Sequence, residues 1–300
     1  MNAALEHQRV KAYLALAIGV LCIGFSAIFV KLAGVPGPAS ALYRMVVAGA
    51  LAVPVWLLRG GRLPAPRETL LLVAGGICFG LDLGMWNTSI LLTSAATATL
   101  LANNAPLWVG LASFFLFRER LPGRYWLGLA VALAGMTWLL GADAFQHLRL
   151  NPGNLMAIAA SLFYSAFLLT THRARVKVDL LTATSVSTLA SIATLLVINL
   201  LLGTPLWGYS AHAWLYIAAM GLITQLGGWL AINYALGHLP AAPVAVCLLA
   251  QVGVTTLAAM PILGEYLQLN QLGGGVLLLA GIYLVTSGRG AVREAVLPEG

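Results

Sequence analysis

The chain has 300 residues, of which 60% are hydrophobic and only 8% charged, with a mean hydropathy of +0.92. A soluble domain carries about 25% charged residues, so too few remain here to solvate a globular surface, and most of that surface must face lipid. The formal charge of +7 does not indicate a nucleic-acid partner, because the Lys and Arg residues sit in short clusters between apolar runs, where they act as topology signals.

A membrane core takes about 20 apolar residues per helix. Such runs are predicted at 12–32, 39–58, 69–91, 95–117, 125–141, 154–171, 180–202, 213–235, 241–263 and 271–287. The expected fold is therefore an all-α polytopic membrane protein with ten transmembrane helices. The first run follows Arg9 and Lys11, as in a signal peptide, but it outlasts the roughly 7–15 residues of a signal h-region and is read as a membrane helix. Turn chemistry or charge separates the runs, as at Gly34-Val35-Pro36-Gly37-Pro38, Asn151-Pro152-Gly153 and His238-Leu239-Pro240. Loops this short make neighbouring helices antiparallel.

Polar residues inside the runs carry the functional reading, since a charge at a helix centre costs about 2.5–3.5 kcal/mol. Arg44 on the second helix and Asp82 on the third are the only ionisable residues well inside helices. A salt bridge between them would lower that cost. Alternatively, the Arg44 guanidinium recognises a substrate carboxylate. The third helix has two faces, with Phe79, Asp82 and Trp86 at i, i+3, i+7 and Gly76, Gly80 and Gly84 at i, i+4, i+8. The aromatic-acid stripe either lines a cavity or packs, with Asp82 then a paired structural charge. The glycine stripe lets a neighbouring backbone approach closely. The fourth helix has Asn103 and Asn104 beside Pro106, which frees a backbone carbonyl one turn back.

On the sixth helix, Phe163, Tyr164 and Phe167 form either an aromatic wall or plain packing. The eighth helix carries Gln225, Trp229 and Asn233 at i, i+4, i+8, and the ninth carries Cys247, Gln251 and Thr255 at the same spacing. Uncharged amides with aromatic faces suit a zwitterion whose side chain is often apolar. They serve equally as interhelical hydrogen bonds. Gly128 and Gly135 on the fifth helix, and Gly274 and Gly281 on the tenth, are expected to let those two helices pack tightly, away from substrate. The set proposed to contact substrate is Phe79, Asp82, Trp86, Asn103, Asn104, Tyr164, Gln225, Trp229 and Gln251.

Nothing in the sequence points to catalysis. There is no Walker A lysine, no H-E-x-x-H and no nucleophile elbow, so the chain is expected to be no enzyme and to need no cofactor or metal. Cys22, Cys78 and Cys247 all fall in apolar runs and are read as packing residues.

Orientation follows from the basic residues. With a cytoplasmic N-terminus, the inside segments hold Arg9, Lys11, Arg59, Arg62, Arg67, Arg118, Arg120, Arg124, Arg173, Arg175, Lys177, Arg289 and Arg293. The outside segments hold only Lys31 and Arg149. This is a strong positive-inside bias and places both termini in the cytoplasm. The excess of Arg over Lys fits a bacterial genome rich in G and C.

The chain also repeats. Shifted by 146 residues, Asn87–Leu140 aligns with Asn233–Thr286 without a gap, and eleven of the 54 positions are identical. Glu119 recurs at Glu265, but its neighbours Arg118, Arg120 and Arg124 become Gly264, Tyr266 and Asn270. A five-helix unit repeated once must be inserted upside down, which puts the second Glu loop outside, where arginine is disfavoured. The two halves are taken as residues 1–146 and 147–300, within one integrated membrane domain. Such inverted repeats bind substrate at their interface near the midplane.

Leu100-Leu101-Ala102-Asn103-Asn104-Ala105-Pro106-Leu107, then Phe117-Arg118-Glu119-Arg120-Leu121, then Gly128 to Gly135 resemble the signature of the EamA family of the drug/metabolite transporter superfamily. The second copy runs Leu248-Leu249-Ala250-Gln251, Leu263-Gly264-Glu265-Tyr266-Leu267 and Gly274 to Gly281, with Val252 in place of Pro106. The whole chain is similar to the YddG-type amino-acid exporters of that family. The resemblance implies a central cavity and export of aromatic and other neutral amino acids across the inner membrane by alternating access. Export of other small metabolites or drugs is the alternative. The implied partners are a small-molecule substrate and membrane lipid, with no nucleic acid and no required oligomer.

The inverted repeat has a direct test. A cysteine introduced beside Glu265 is expected to react with an impermeant thiol reagent in intact cells, and one beside Glu119 is not. Labelling of both from the same side would rule the inversion out.

Overall fold

In lipid, every backbone N–H and C=O must be satisfied within the protein, which leaves helices and closed barrels as the only spanning structures. The computed structural model describes residues 2–93, 95–141, 151–263 and 269–287, and these contain helices but no strand. Helix α1 runs Asn2–Gly24 and resumes after Phe25 as Ser26–Ala33. Then come α2 (Gly37–Leu58), α3 (Pro66–Leu92), α4 (Ala95–Ala102 and Ala105–Phe115), α5 (Gly123–Leu140), α6 (Pro152–Arg175) and α7 (Leu180–Leu202). Helix α8 comprises Ala211–Ala219, a π-helical stretch Met220–Gly228 and Trp229–Leu236. Last are α9 (Ala241–Leu248 and Ala250–Leu263) and α10 (Leu269–Thr286).

Among the described residues, seven helices are long and apolar enough to cross a membrane: α1, α2, α3, α6, α7, α8 and α9. The other three fall short of the expected pattern for separate reasons. Helix α4 is divided at Asn103-Asn104, α5 opens on the polar stretch Gly123-Arg124-Tyr125-Trp126, and α10 is a shorter apolar helix. The helix ends carry capping chemistry. Side-chain oxygens of Asn151, Asp179 and Ser210 accept the backbone N–H of Asn154 (2.8 Å), Thr182 (3.0 Å) and Ala213 (3.2 Å), opening α6, α7 and α8. Gly34 and Gly203 close α1 and α7 in the left-handed conformation that glycine adopts without a steric cost.

Leu58, Phe115, Leu201 and Val276 point outward, as a lipid-facing surface requires. Hydrophobicity cannot then drive helix association, which falls to close packing and hydrogen bonds. Two glycine seams do much of this. Gly76 and Gly80 of α3 lie so close to α7 that added Cβ atoms would meet Ser187 O at 2.4 Å and Thr194 Cβ at 2.9 Å. Along the same contact, the α7 hydroxyls of Ser187 and Ser191 donate to the α3 carbonyls of Leu72 (3.2 Å) and Gly76 (2.7 Å). The second seam joins α5 to α10. A Cβ on Gly135 would lie 2.2 Å from Leu278 N, one on Gly274 2.4 Å from Leu139 N, and one on Gly281 2.3 Å from Ala132 N. Both seams match the sequence reading of those glycines.

The repeat shows in local detail. Helix segment Ala95–Ala102 maps under the 146-residue shift onto Ala241–Leu248, so α4 and α9 are interrupted at the same place although only α4 has the proline. The equivalent residues Asn87 and Asn233 also act alike. Asn87 Nδ2 donates to Gly37 O and Ser40 Oγ at the start of α2, both at 3.0 Å, and Asn233 Nδ2 to Thr184 Oγ1 at the start of α7, at 3.3 Å.

Ionic contacts gather at one end of the bundle. Arg173 pairs with Glu119 at 3.8 Å and lies 3.4 Å over the Phe117 ring, while Lys177 pairs with Glu68 at 3.5 Å. Two α6 residues hold the carbonyl end of α8: His172 Nδ1 is 2.7 Å from Leu236 O, and Arg175 Nε donates to Asn233 O at 3.1 Å. At the opposite end Tyr43 packs its ring on Trp214 at 4.7 Å and donates to Leu206 O. Glu265, the second Glu of the repeat, lies outside the described residues.

Overpacking typically destabilises by about 1–3 kcal/mol. Gly135→Ala is expected to lower stability by that amount in thermal unfolding of the purified protein. Gly275→Ala, where an added Cβ meets nothing within 4 Å, is expected to be neutral or slightly stabilising.

Candidate functional site

Three helix interruptions define the centre of the bundle: after Phe25 in α1, at Asn103-Asn104 in α4 and at Leu249 in α9. Each brings a polar side chain to the same space, namely Ser26, Asn103 and Gln251. They open on a cavity of about 100 Å³. Helices α1 to α4 contribute Ser26, Arg44, Phe79, Asp82, Trp86, Thr99 and Asn103, while α6, α8 and α9 contribute Tyr164, Trp229, Gln251 and Thr255. Ile23, Ala27, Leu83, Ala102 and Val252 complete the lining. The cavity therefore lies between helices of both sequence copies.

Hydrogen bonds tie the interruptions together. Gln251 Nε2 donates to Asn103 Oδ1 at 3.1 Å, joining α9 to α4, and Asn103 Nδ2 donates to Thr99 O at 2.9 Å within its own helix. Thr255 Oγ1 donates to Gly24 O at 2.6 Å, next to the α1 break. One wall is aromatic. Trp229 packs edge-on against Phe79 at 4.7 Å and Tyr164 at 5.8 Å, with Phe167 stacked on Phe79 from behind at 4.4 Å. Phe79, Tyr164 and Trp229 thus both line the cavity and pack on one another, so the cavity and packing readings of these rings hold together.

Arg44 and Asp82 are both buried, at 2% and 9% exposure, and both line this cavity. The expected salt bridge between them is absent. The ion pairs among the described residues are Arg173–Glu119 and Lys177–Glu68. Arg44 instead donates from one terminal nitrogen to Ser26 Oγ at 2.9 Å, and its Nε is buried with no acceptor. An unsatisfied buried polar group costs about 1–3 kcal/mol. The two side chains therefore face a common space with no direct ion pair between them.

Of the nine residues expected at the site, seven are brought together: Phe79, Asp82, Trp86, Asn103, Tyr164, Trp229 and Gln251. Asn104 turns away and donates to Leu100 O at 2.8 Å, closing the first segment of α4. Gln225 is buried outside the lining, with no partner for its Oε1. It sits in the π-helical stretch, whose i→i+5 winding breaks the i, i+4 alignment that would have placed Gln225 on the face of Trp229. Ser26 and Thr99 were not anticipated. Hydroxyls in membrane helices commonly bond their own backbone, so their sequence context does not mark them. The three cysteines are free, as expected of packing residues. No cluster of metal-ligating side chains occurs among the described residues.

Comparison with known proteins places this architecture. The profile of the EamA-like transporter family matches twice, at residues 10–141 and 151–287. The Bacillus subtilis (strain 168) protein named "Uncharacterized transporter YwfM" is 24% identical over 255 residues, covering 82% of each chain. One crystal structure of another protein superposes with a TM-score of 0.78 at 22% identity, over 93% of this chain and 97% of that one, which shows a shared fold.

The two cavity tryptophans are expected to behave differently on truncation. Trp229, 5% exposed and in contact with three rings, should cost about 3–5 kcal/mol of stability as alanine. Trp86 is only half-buried, and its alanine variant should stay within about 1 kcal/mol of the parent. It should weaken competition by aromatic solutes more than by small ones, because a stacked ring contributes about 0.5–1.5 kcal/mol beyond its area. Thermal unfolding and solute competition on the purified variants separate the two. Equal loss for every solute would assign Trp86 to packing.

Proposed function

Because the chain belongs to the EamA-like transporter family, we propose that it exports aromatic and other neutral amino acids by alternating access. The family makes it a multi-pass membrane transporter of small molecules and not an enzyme. The amino-acid reading rests above all on one observation: a central cavity that combines an aromatic wall, uncharged amides and one buried side chain of each charge. That mixture suits solutes with a constant polar head and a variable, often apolar side chain.

The accompanying topology is ten spans in two inverted halves, residues 1–146 and 147–300, with both termini on the cytoplasmic face of a bacterial inner membrane. Two observations favour it. The basic segments after α2, α4 and α6 meet at one end through Arg173–Glu119 and Lys177–Glu68, consistent with positive-inside insertion. The interruptions in α4 and α9 coincide under the repeat, and in transporters of this kind broken helices flank the substrate site. Under that topology the ionic contacts, with His172 and Arg175 on the end of α8, lie at the cytoplasmic end, and alternating access requires them to part whenever that end opens. One protomer encloses the whole cavity, so function needs no oligomer.

The test is counterflow in proteoliposomes with a panel of amino acids. Exchange of neutral and aromatic members supports the reading. Exchange of unrelated metabolites or drugs alone replaces it with the broader exporter class. Energy coupling is tested in the same vesicles. Transport is expected to run down the substrate's own gradient, with Asp82 keeping one protonation state through the cycle. A pH gradient should then leave accumulation unchanged in the wild type. Accumulation above equilibrium on a pH gradient, abolished by Asp82→Asn while counterflow survives, would make Asp82 the coupling site.

A further inference from the structure

Arg44 and Asp82 are the charged side chains of the central cavity, and their arrangement is unusual for a membrane interior. Intramembrane charges normally pair with each other or with backbone carbonyls. Here Arg44 has one nitrogen on Ser26 Oγ and a buried Nε with no acceptor. Asp82 has no hydrogen bond or ion pair to any described residue. The sequence contains what a structural salt bridge needs, yet the two groups line one cavity without a direct ion pair.

We infer that Arg44 and Asp82 form a two-point clamp for a zwitterion, Arg44 taking the carboxylate and Asp82 the ammonium. The inference rests on the amino-acid reading above and specifies how that substrate is held. Charge balance selects the ligand. A monoanion would satisfy Arg44 and leave Asp82 alone, a monocation would do the reverse, and a neutral solute would leave both unpaired. A zwitterion neutralises both and adds no net charge to the membrane interior. Ser26 is a positioning residue, because its hydroxyl holds one edge of the guanidinium while the planar fork of Arg suits a carboxylate.

The side-chain end of the substrate is placed by the same helix. Phe79 precedes Asp82 by three residues, about 4.5 Å along the α3 axis and on the same face. An ammonium at Asp82 therefore sets the rest of the molecule beside Phe79, with Trp229 and Tyr164 packed against each other in the same wall. The head group is fixed by charge, whereas the aromatic wall accepts side chains of different size by dispersion and stacking. This division accounts for a transporter that is strict about the backbone of an amino acid and tolerant of its side chain.

The experiment compares three competitors of labelled-phenylalanine counterflow: phenylalanine, phenethylamine, which lacks the carboxylate, and 3-phenylpropionate, which lacks the ammonium. In the wild type both analogues should compete at least about tenfold more weakly than phenylalanine, since a site built around a polar group rejects ligands that leave it unpaired. In Arg44→Gln, phenylalanine should lose its advantage over phenethylamine and keep it over 3-phenylpropionate. In Asp82→Asn the pattern should be the converse. Equal competition by all three compounds in the wild type overturns the clamp, as does an identical ranking in wild type and both variants. If a variant fails to reach the membrane, the wild-type comparison still decides. Absence of counterflow for every amino acid overturns the amino-acid reading itself, a result distinct from failure of the clamp alone.

Discussion

The structure depends on a single constraint: a chain in lipid has no water with which to satisfy polar groups. Each amide, hydroxyl or charge must therefore be used inside the bundle or turned to a shared cavity. Serines of α7 spend their hydroxyls on carbonyls of α3, and Asn87 and Asn233 bond the starts of α2 and α7. Where three helices are interrupted, Arg44, Asp82, Asn103 and Gln251 gather around one cavity, with Gln251 and Asn103 bonded to each other across it and Arg44 to Ser26.

The two ends of the molecule divide the work differently from its centre. At the end rich in arginine, contacts are ionic and partly exposed, with Arg173 and Glu119 at 40% and 50% side-chain exposure. Exposed pairs contribute little to stability, so these contacts can be broken at small cost. At the other end, the Tyr43, Tyr209 and Trp214 rings form an aromatic cluster. Between the ends, the glycine seams of α3 with α7 and of α5 with α10 hold main chains so close that an added Cβ would force a shift.

Much of the fold was legible in the sequence because membrane helices announce themselves by length and apolarity. The seventh run was placed at 180–202, where α7 lies, and the ninth at 241–263, which α9 fills apart from its break. The breaks themselves were only half legible. Pro106 marks the interruption in α4, but its partner in α9 falls at Leu249 with no proline, and Phe25 follows only a glycine. Seven of the nine residues proposed for the site line the cavity, and helical spacing is what singled out Phe79, Asp82, Trp86, Trp229 and Gln251 among them. Gln225 stays outside the lining, where a π-helical stretch changes the period, and Asn104, marked by Pro106 rather than by spacing, bonds a carbonyl beside the break. Arg44 and Asp82 have the right depth for a salt bridge, and depth alone cannot reveal that they face one cavity without touching.

The seam between α5 and α10 has a mechanical meaning. Gly128 and Gly135 come from the first sequence copy and Gly274 and Gly281 from the second, and their backbones touch with no side chain between them. Sliding one helix along the other would drive the Cβ atoms of Ala132, Leu139 and Leu278 into the facing main chain. A joint with this geometry sets the spacing between the two sequence copies by main-chain contact, so at this seam they lie about as close together as two helices can.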